Sequence, residues 1–242
     1  MTERIAIISD IHGNLPAFET VLADIAARGI ETIYCLGDVI GKGPDGAAAV
    51  DLCRAHCIAT VQGNWDANAA EGYDHPSYHW NRPRLGRERL DWLGALPGTV
   101  EFVLSGQRVR LFHASQQSPF HRVHQYDAFE NHAAMFENTD FTGHGPTPDY
   151  VGYGDIHIAY VKSFRHKCLF NVGSVGNALD IPLATYAVLE GDTGPAPLSL
   201  SIIRLPYDIE LATRQAEASG MPDLEDYADE LRTARYRGLK RK

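Results

Sequence analysis

The sequence predicts an α/β fold in its first half and a strand-rich arrangement in its second half. An apolar stretch of strand length at residues 5–8 is followed by a helical pattern, and the same alternation continues to Val61. A strand-helix-strand-helix-strand order implies parallel strands joined by right-handed crossovers. Ligands of open α/β sheets bind beyond the carboxyl ends of the strands. The polar residues that follow each predicted strand are therefore the candidates for function.

The first strand and helix follow from residue type and spacing. Residues 5–8 are entirely apolar, as expected for a strand that is buried on both faces. Asn14 is a favourable N-cap, Pro16 lies in the first helical turn, and Gly29 ends the helical pattern. The apolar face of this helix is formed by Phe18, Val21, Leu22 and Ile25.

The next elements repeat this order. Residues 32–36 predict a second strand, Asp45 is placed to cap a helix that runs through Cys53, and residues 58–61 predict a third strand. Residues 73–96 are polar and aromatic, which indicates a helical or looped insertion. The three strands therefore predict the centre of a parallel sheet.

The second half of the chain contains more strands. Residues 109–112 predict one strand, and residues 115–132 after it predict a histidine-rich loop. Further strands are predicted at residues 150–153, 169–172, 186–189 and 199–205. The last of these alternates apolar and polar residues, which is typical of a half-exposed antiparallel strand.

The chain divides into one large domain, residues 1–205, and a helical C-terminal extension, residues 206–242, which we expect to pack on the same domain. The helical patterns of the extension contain Ile209 and Leu211, and then Leu224, Tyr227 and Leu231. Residues 232–242 are strongly basic. We interpret them as a solvated end of the chain, and a homodimer contact with an acidic surface is the alternative.

Composition limits the classes of function. The chain has 242 residues, of which 44% are hydrophobic, and its net charge of −9 argues against binding to nucleic acid backbones. We find no apolar run of membrane-spanning length and no signal-peptide pattern, so we expect a cytoplasmic protein with no membrane partner. The four cysteines fit neither a zinc ribbon nor a dense disulfide framework, which agrees with a reducing compartment.

Polar clusters at the ends of predicted strands carry the chemistry. They are Asp10-Ile11-His12, Gly37-Asp38, Gly63-Asn64-Trp65-Asp66, His113 and Gly154-Asp155-Ile156-His157. Carboxylate, imidazole and amide groups in this arrangement are suited to holding two divalent ions. Asp38 can bridge both ions with its two oxygens, which a histidine cannot do. Such a pair of ions binds a phosphate and converts a bridging water to hydroxide at neutral pH.

These motifs resemble those of the calcineurin-like metallophosphoesterase superfamily. The matching segments are Ser9-Asp10-Ile11-His12-Gly13-Asn14, Gly37-Asp38 with Gly41 and Gly43-Pro44, Gly63-Asn64, His113, Gly154-x-x-His157 and Asn171-Val172-Gly173-Ser174. The resemblance covers residues 4 to about 190 and is strongest to bacterial phosphodiesterases and diadenosine polyphosphate hydrolases. It implies a four-layer α/β/β/α sandwich of two mixed sheets, and hydrolysis of phosphoester or phosphoanhydride bonds.

The resemblance also implies the metal ligands. One ion would take Asp10, His12, Asp38 and His157, and the other would take Asp38, Asn64, His113 and Asp155. Asp155 stands where the family has the first histidine of Gly-His-x-His. Three carboxylates favour Mn²⁺, Fe²⁺ or Mg²⁺ over Zn²⁺, and we expect Mn²⁺ first. Two alternatives stay open: Asp155 caps a turn beside a weak second site, or His144 supplies the missing imidazole.

A second departure from the family is Trp65, at the position of a histidine that protonates the leaving oxygen or stabilises the phosphoryl charge. Indole cannot supply a proton, and a general acid contributes about 10²- to 10⁴-fold. Its absence favours substrates with good leaving groups, such as nucleotide anhydrides or activated diesters. Trp65 either stacks on a base or fills space in the wall of the site. Arg122 is a candidate for binding distal phosphates, because a guanidinium group matches phosphate. His121 and His124 are candidates for the same role, and the alternative is that these two histidines are structural or surface residues.

Gly41-Lys42-Gly43-Pro44-Asp45-Gly46 also fits the pattern of a dinucleotide-binding loop. A dehydrogenase would leave the strand-end ligands unexplained, so we reject that interpretation and expect Lys42 to be exposed or near the substrate. Two classes of function remain. The first is a dinuclear metallohydrolase that acts on a small phosphorylated substrate of the nucleotide type. The second is a metal-dependent nucleotide-binding or regulatory module that has lost catalysis.

Overall fold

The computed structural model describes residues 2–238, which form two five-stranded sheets and seven helices. The strands are β1 (Thr2–Ile8), β2 (Thr32–Cys35), β3 (Ala59–Thr60), β4 (Thr99–Leu104), β5 (Gln107–Phe112), β6 (Tyr150–Tyr153), β7 (Tyr160–Phe164), β8 (Lys167–Asn171), β9 (Ala184–Asp192) and β10 (Ser199–Leu205). The helices are α1 (Leu15–Ala27), α2 (Gly46–His56), α3 (Asn64–Glu71), α4 (Pro76–Gly94), α5 (Phe129–Ala134), α6 (Ile209–Ser219) and α7 (Leu224–Thr233).

The first sheet is mixed and has the strand order β10-β9-β1-β2-β3. β1 pairs with β2 and β2 with β3 in parallel, whereas β9 is antiparallel to both β1 and β10. α1 and α2 connect the parallel strands, so the predicted βαβαβ unit is confirmed. Asn14 caps α1 as predicted, because its Oδ1 accepts a hydrogen bond from the backbone N–H of Ala17 at 3.3 Å.

The second sheet is also mixed, with the order β4-β5-β6-β8-β7. Its three central strands, β5, β6 and β8, are parallel, and the two edge strands are antiparallel to their neighbours. Leu111 lies opposite Gly152, and Tyr153 opposite Asn171. The parallel register brings the carboxyl ends of β5, β6 and β8 to one edge of the sheet.

The two sheets pack face to face, and helices or loops cover their outer faces. Along β1, Ile5 and Ile7 contribute to the core between the sheets, whereas Ala6 and Ile8 pack beneath α1 and α2. The outer face of the second sheet is covered by α5 and the long β5–β6 connection, with Val123 and Phe136 in that core. This arrangement confirms the predicted four-layer sandwich.

Some elements differ from the sequence prediction. β4, β7 and α3 were not predicted; both strands lie at a sheet edge and have half-exposed residues, so their apolar pattern is weak. α2 continues to His56 rather than ending at Cys53, and Asp45 occupies its N-cap position without a side-chain hydrogen bond. α5 begins inside the segment predicted as a loop, residues 115–132.

The C-terminal helices pack beside α1 and α4. Tyr227 and Leu231 of α7 are buried with Ala212 and Ala216 of α6, and Trp80 of α4 packs against this group. The domain division at residue 205 stays a prediction, and residues 239–242 of the basic end lie outside the described residues. Within residues 2–238, none of the helices is long and apolar enough to cross a membrane.

Candidate metal centre

The predicted ligands meet at one edge of the molecule, where the carboxyl ends of strands from both sheets come together. The loops of the first sheet supply Asp10, His12, Asp38 and Asn64, and the loops of the second sheet supply His113, Asp155 and His157. The loops are held by backbone hydrogen bonds, such as those from Asp10 N to Gly37 O at 3.0 Å and from Gly154 N to His113 O at 2.8 Å. The seven side chains therefore share one site, although 147 residues separate the first from the last.

The backbone of this site is unusual. Ten non-glycine residues of the described chain have a positive φ, and half of them are predicted ligands: Asp10 (54°), His12 (51°), Asp38 (50°), Asp155 (64°) and His157 (58°). Left-handed backbone costs roughly 1–2 kcal/mol for each such residue, although Asp and His tolerate it better than branched residues. Strained backbone of this kind is concentrated at functional sites, where the surrounding structure must hold it in place.

Asp10, His12 and His157 form the first ligand group. The Nε2 atoms of His12 and His157 lie 3.1 Å apart, and His157 Nε2 lies 3.2 Å from Asp10 Oδ1. All three side chains are buried. Two ligand nitrogens of one transition-metal ion, each about 2.0–2.1 Å from it, stand at a comparable separation. The geometry therefore suits a shared ion.

The second ligand group surrounds His113. Its Nε2 lies 3.0 Å from Asn64 Oδ1, 3.5 Å from Asp38 Oδ2 and 3.8 Å from Asp155 Oδ1. Asp38 Oδ2 is also 3.7 Å from His12 Nε2. Asp38 therefore lies between the two groups, as a bridging carboxylate requires.

All three histidines are oriented by backbone carbonyl groups. His12 Nδ1 lies 3.2 Å from Ile40 O, His113 Nδ1 lies 2.7 Å from Leu36 O, and His157 Nδ1 lies 2.5 Å from Asn177 O. A carbonyl only accepts, so each Nδ1 carries the proton. Each Nε2 then presents its lone pair to the site, which is the arrangement found in metal-binding histidines.

The electrostatics of the site favour cations. Asp10 Oδ1 is buried and has no hydrogen-bond partner, which is costly for a charged oxygen. Burial would raise the pKa of Asp10, but the neighbouring His157 imidazole lowers it below its ordinary value. Burial also opposes protonation of His113, yet Asp38, Asp10 and Asp155 raise its pKa to about 9, so these carboxylates favour a positive charge, either a proton or a metal ion, at His113 Nε2. Burial and the charges of His157 and Lys42 hold the pKa of His12 well below its usual value, so its Nε2 stays available.

Asp155 lies beside the second ligand group but also pairs with Arg122. The guanidinium Nε and one terminal nitrogen each lie 2.7 Å from a different carboxylate oxygen of Asp155. This bidentate pair raises the pKa of Arg122 above its ordinary value. Arg122, expected to bind distal phosphates, is thus placed next to the centre, although it is paired with a predicted ligand. His144 is largely exposed and lies 3.2 Å from Asp140, away from this group.

Trp65 lies at the entrance of the site. Its backbone N–H donates to Asp38 Oδ1 at 2.8 Å, and its ring packs edge-on to His12 with centroids 5.7 Å apart. The ring also lies 5.1 Å from that of Tyr78. Trp65 therefore helps to orient the Asp38 carboxylate, and its indole forms part of the cavity wall.

Several supporting residues were not assigned a role from the sequence. Asp66 is buried and accepts backbone N–H groups from the loop that carries Asp38. Asn177, whose carbonyl orients His157, also accepts a hydrogen bond from Lys42 at 2.5 Å. Lys42 Nζ also lies 3.2 Å from Glu230 Oε2 of α7. The Lys42 side chain is mostly buried rather than exposed. The only sequence signal for these roles is that Asp66 belongs to the cluster Gly63-Asn64-Trp65-Asp66 and that Asn177 follows Ser174 by three residues.

A cavity of about 450 Å³ opens onto the centre. Its walls combine ligands, cations and apolar side chains: Asp38, Lys42, Trp65, Arg122, His124, Asp155, Ile156, His157, Ile158, Leu179, Ala234, Arg235 and Tyr236. His121 instead lies 3.0 Å from Ser115 Oγ. The site can therefore receive an anionic group at the ligands and an organic group beside them.

The family of the chain follows from comparison with known proteins. The family model of the calcineurin-like phosphoesterase superfamily domain matches residues 4–194. The chain belongs to this superfamily of metal-dependent phosphoesterases. It is therefore a phosphoester hydrolase.

Individual relatives extend over most of the chain. The uncharacterized protein MJ0912 of Methanocaldococcus jannaschii is 30% identical over 233 residues, which cover 90% of this chain and 94% of the relative. Phosphodiesterase YfcE of Escherichia coli is 27% identical over 215 residues, which cover 84% and 92%. Among solved structures, a metallophosphoesterase from Sphaerobacter thermophilus shares the fold with a TM-score of 0.77 at 23% identity, covering 96% of this chain and 99% of that one.

Proposed function

We propose that the protein hydrolyses phosphoester or phosphoanhydride bonds with two divalent ions, Mn²⁺ first among them, and that its substrate is a nucleotide-type molecule with a good leaving group. The position of Asp38 carries the proposal. One of its oxygens lies 3.7 Å from His12 Nε2 and 3.5 Å from His113 Nε2. A single carboxylate is therefore within reach of both ligand groups, which favours a dinuclear centre over a single ion.

The residues present fit the ligand sets that the family resemblance implies. Asp10, His12, Asp38 and His157 would hold one ion, and Asp38, Asn64, His113 and Asp155 the other. Two such ions offset the charge of a bound phosphate and lower the pKa of a bound water. The number of carboxylates supports Mn²⁺, Fe²⁺ or Mg²⁺.

The other residues of the cavity bind and orient the substrate. Lys42, Arg122 and Arg235 place positive charge along its walls, which favours a ligand with more than one phosphate. Trp65 holds Asp38 through its backbone N–H but has no proton to give to a leaving oxygen. The leaving group must therefore depart largely as an anion, which supports nucleotide anhydrides and activated diesters. The name of the Escherichia coli relative, a phosphodiesterase, agrees with the diester class.

The proposal is tested by hydrolysis of diadenosine tetraphosphate and, in parallel, bis-p-nitrophenyl phosphate. Chelator-stripped protein should be inactive, Mn²⁺ should restore turnover, and Asp38→Asn should abolish it. Asp91→Asn is the matched control, because Asp91 is exposed on α4, pairs with Arg87 and is not among the ligands or the residues lining the cavity, and it should keep full activity. Nucleotide binding without turnover under Mn²⁺, Fe²⁺ and Mg²⁺ would contradict the hydrolase and support the binding-module alternative.

Trp65→His tests the argument about the leaving group. A histidine at this position should raise turnover of an alkyl phosphomonoester, up to the roughly 100-fold at the lower end of general-acid effects. Turnover of bis-p-nitrophenyl phosphate should change little, since its leaving group needs no proton. An equal change for both substrates would show that Trp65 acts only as a wall residue.

A further inference from the structure

The last part of the described chain lines the cavity beside the metal centre. After α7 ends at Thr233, residues 234–237, here called the strap, pass along the cavity, and Ala234, Arg235 and Tyr236 are among its lining residues. The family match ends at residue 194, so the strap lies outside the part of the chain that defines the superfamily. It therefore adds to the site something that the common domain does not supply.

The strap is held in place by Glu230. The chain reverses at Ala234, which has a left-handed φ of 52° and whose N–H donates to Glu230 O at 2.8 Å. Glu230 Oε1 then accepts from the backbone N–H of Arg237 at 2.8 Å and from its Nε at 3.2 Å. The Glu230 side chain is fully buried. The position of the strap is thus built into the fold.

The same carboxylate connects the strap to the metal centre. Glu230 Oε2 accepts from Lys42 Nζ and from Asn177 Nδ2, each at 3.2 Å. The Asn177 carbonyl in turn accepts from His157 Nδ1 at 2.5 Å. A chain of direct contacts therefore fixes the distance between the strap and a predicted ligand, as a specificity element requires.

The chemistry of the cavity walls identifies what the strap faces. Trp65 and Tyr236 contribute aromatic rings, and Ile156, Ile158 and Leu179 contribute aliphatic surface. Tyr236 is 47% exposed, so part of its side chain is accessible to a ligand. A volume of about 450 Å³ is in the range of sites for organic ligands. Inorganic phosphate at the metal centre would leave all of this apolar surface unused.

We propose that the strap is the element that selects a nucleoside phosphate: the aromatic face of Tyr236 packs against the base while the phosphate lies at the metal centre. The inference rests on the proposed function, since it takes the phosphate position from the dinuclear centre. Bases stack on aromatic side chains with little dependence on sequence, and the loss of one such contact weakens binding severalfold to over a hundredfold. Arg235 adds a cation on the same wall.

The experiment measures binding rather than turnover. Adenosine monophosphate and inorganic phosphate are titrated separately into the full Mn²⁺-loaded chain by calorimetry. Tyr236→Ala should weaken binding of adenosine monophosphate about tenfold and change phosphate binding less than twofold. Tyr236→Phe keeps the ring and should bind both as the wild type does. Tyr126→Ala removes an exposed tyrosine that does not line the cavity, and it should leave both affinities unchanged.

The outcomes separate this inference from the proposed hydrolase. Unchanged adenosine monophosphate binding by Tyr236→Ala, or no binding by the wild type, overturns the role of the strap, whether or not the protein is active. Selective loss of adenosine monophosphate binding by Tyr236→Ala supports the strap even if no substrate is hydrolysed. Glu230→Gln provides a second test. Because this substitution should release the strap, it should weaken the binding of adenosine monophosphate more than the binding of phosphate.

Discussion

Asp66 offers a stringent test of how the loops that carry the predicted metal ligands are held. Its side chain is buried, and its Oδ2 accepts from the N–H groups of Asp38 at 2.8 Å and Gly63 at 3.0 Å. Its Oδ1 accepts from the N–H of Val39 at 3.1 Å and from that of Ile40 at 3.5 Å. Asp66→Ala removes the acceptor of these four donors at once, three of which lie within 3.1 Å.

The size of the effect follows from these contacts. A buried donor that loses its partner costs about 1–3 kcal/mol. Three donors should therefore lower the free energy of unfolding by at least about 3 kcal/mol, a large part of the roughly 5–15 kcal/mol of a typical domain. Asp66→Asn should cost less, since one oxygen remains, although its amide group faces two donors that it cannot satisfy. Mn²⁺ affinity should also fall in both variants, because Asp38 is no longer positioned.

Urea unfolding of the metal-free protein, followed by tryptophan fluorescence at pH 8, measures this effect. Burial raises the pKa of Asp66, and pH 8 is chosen because alkaline solution favours the ionised carboxylate. Asp51→Ala serves as the control, since Asp51 is half-exposed and its pair with Arg89 should be worth less than about 1 kcal/mol. A loss below about 1 kcal/mol in Asp66→Ala would refute the reasoning, because it would mean that water or the relaxed loop satisfies the donors.

Three further predictions follow from the site and the strap. A methyl group at Gly63 would overlap the backbone nitrogen and Oδ1 of Asp38, so Gly63→Ala should lower Mn²⁺ affinity more than tenfold by calorimetry while leaving the circular dichroism spectrum unchanged. Asp155→Ala should weaken Mn²⁺ binding at one of two sites and His144→Ala at neither; the reverse result would make His144 the ligand. Burial opposes ionisation of Glu230, but Lys42 and Arg237 hold its pKa at about 2, below the ordinary 4.5. Its stabilisation is therefore complete above about pH 4.5 and lost as the pH falls towards 2, so the urea midpoint of Glu230→Gln should depend less on pH in this range.

The parts of the fold that sequence predicts well are those with local signals. The fully apolar residues 5–8 and the capping residue Asn14 locate β1 and α1 because burial and capping act within a few residues. β7 alternates only weakly and lies at a sheet edge, so its formation depends on pairing with β8 rather than on its own residues. Edge strands of this kind are decided by tertiary contacts, which a single sequence does not show.

In the candidate site, too, local sequence signals are predictable and long-range contacts are not. Polar residues at strand ends indicate which side chains come together, and the structure brings all seven predicted ligands to one edge. The sequence does not predict the pairing of Arg122 with Asp155, because the two residues are 33 positions apart and no local pattern links them. Asn177 and Glu230 are 53 residues apart, and nothing in their local sequence links them. Contacts between residues this far apart in the sequence become visible only in the folded structure.

The contribution of both sheets to the metal centre has a mechanical consequence. An ion held by Asp38 and Asn64 on one side and by His113 and Asp155 on the other would fasten the two sheets at their open edge. Removing the ion would loosen the contact between the two sheets rather than a single loop. Amide hydrogens at the carboxyl ends of β1, β5 and β6 would then exchange together, as one cooperative unit. The rigidity of the core between the two sheets would therefore depend on whether the metal ion is bound.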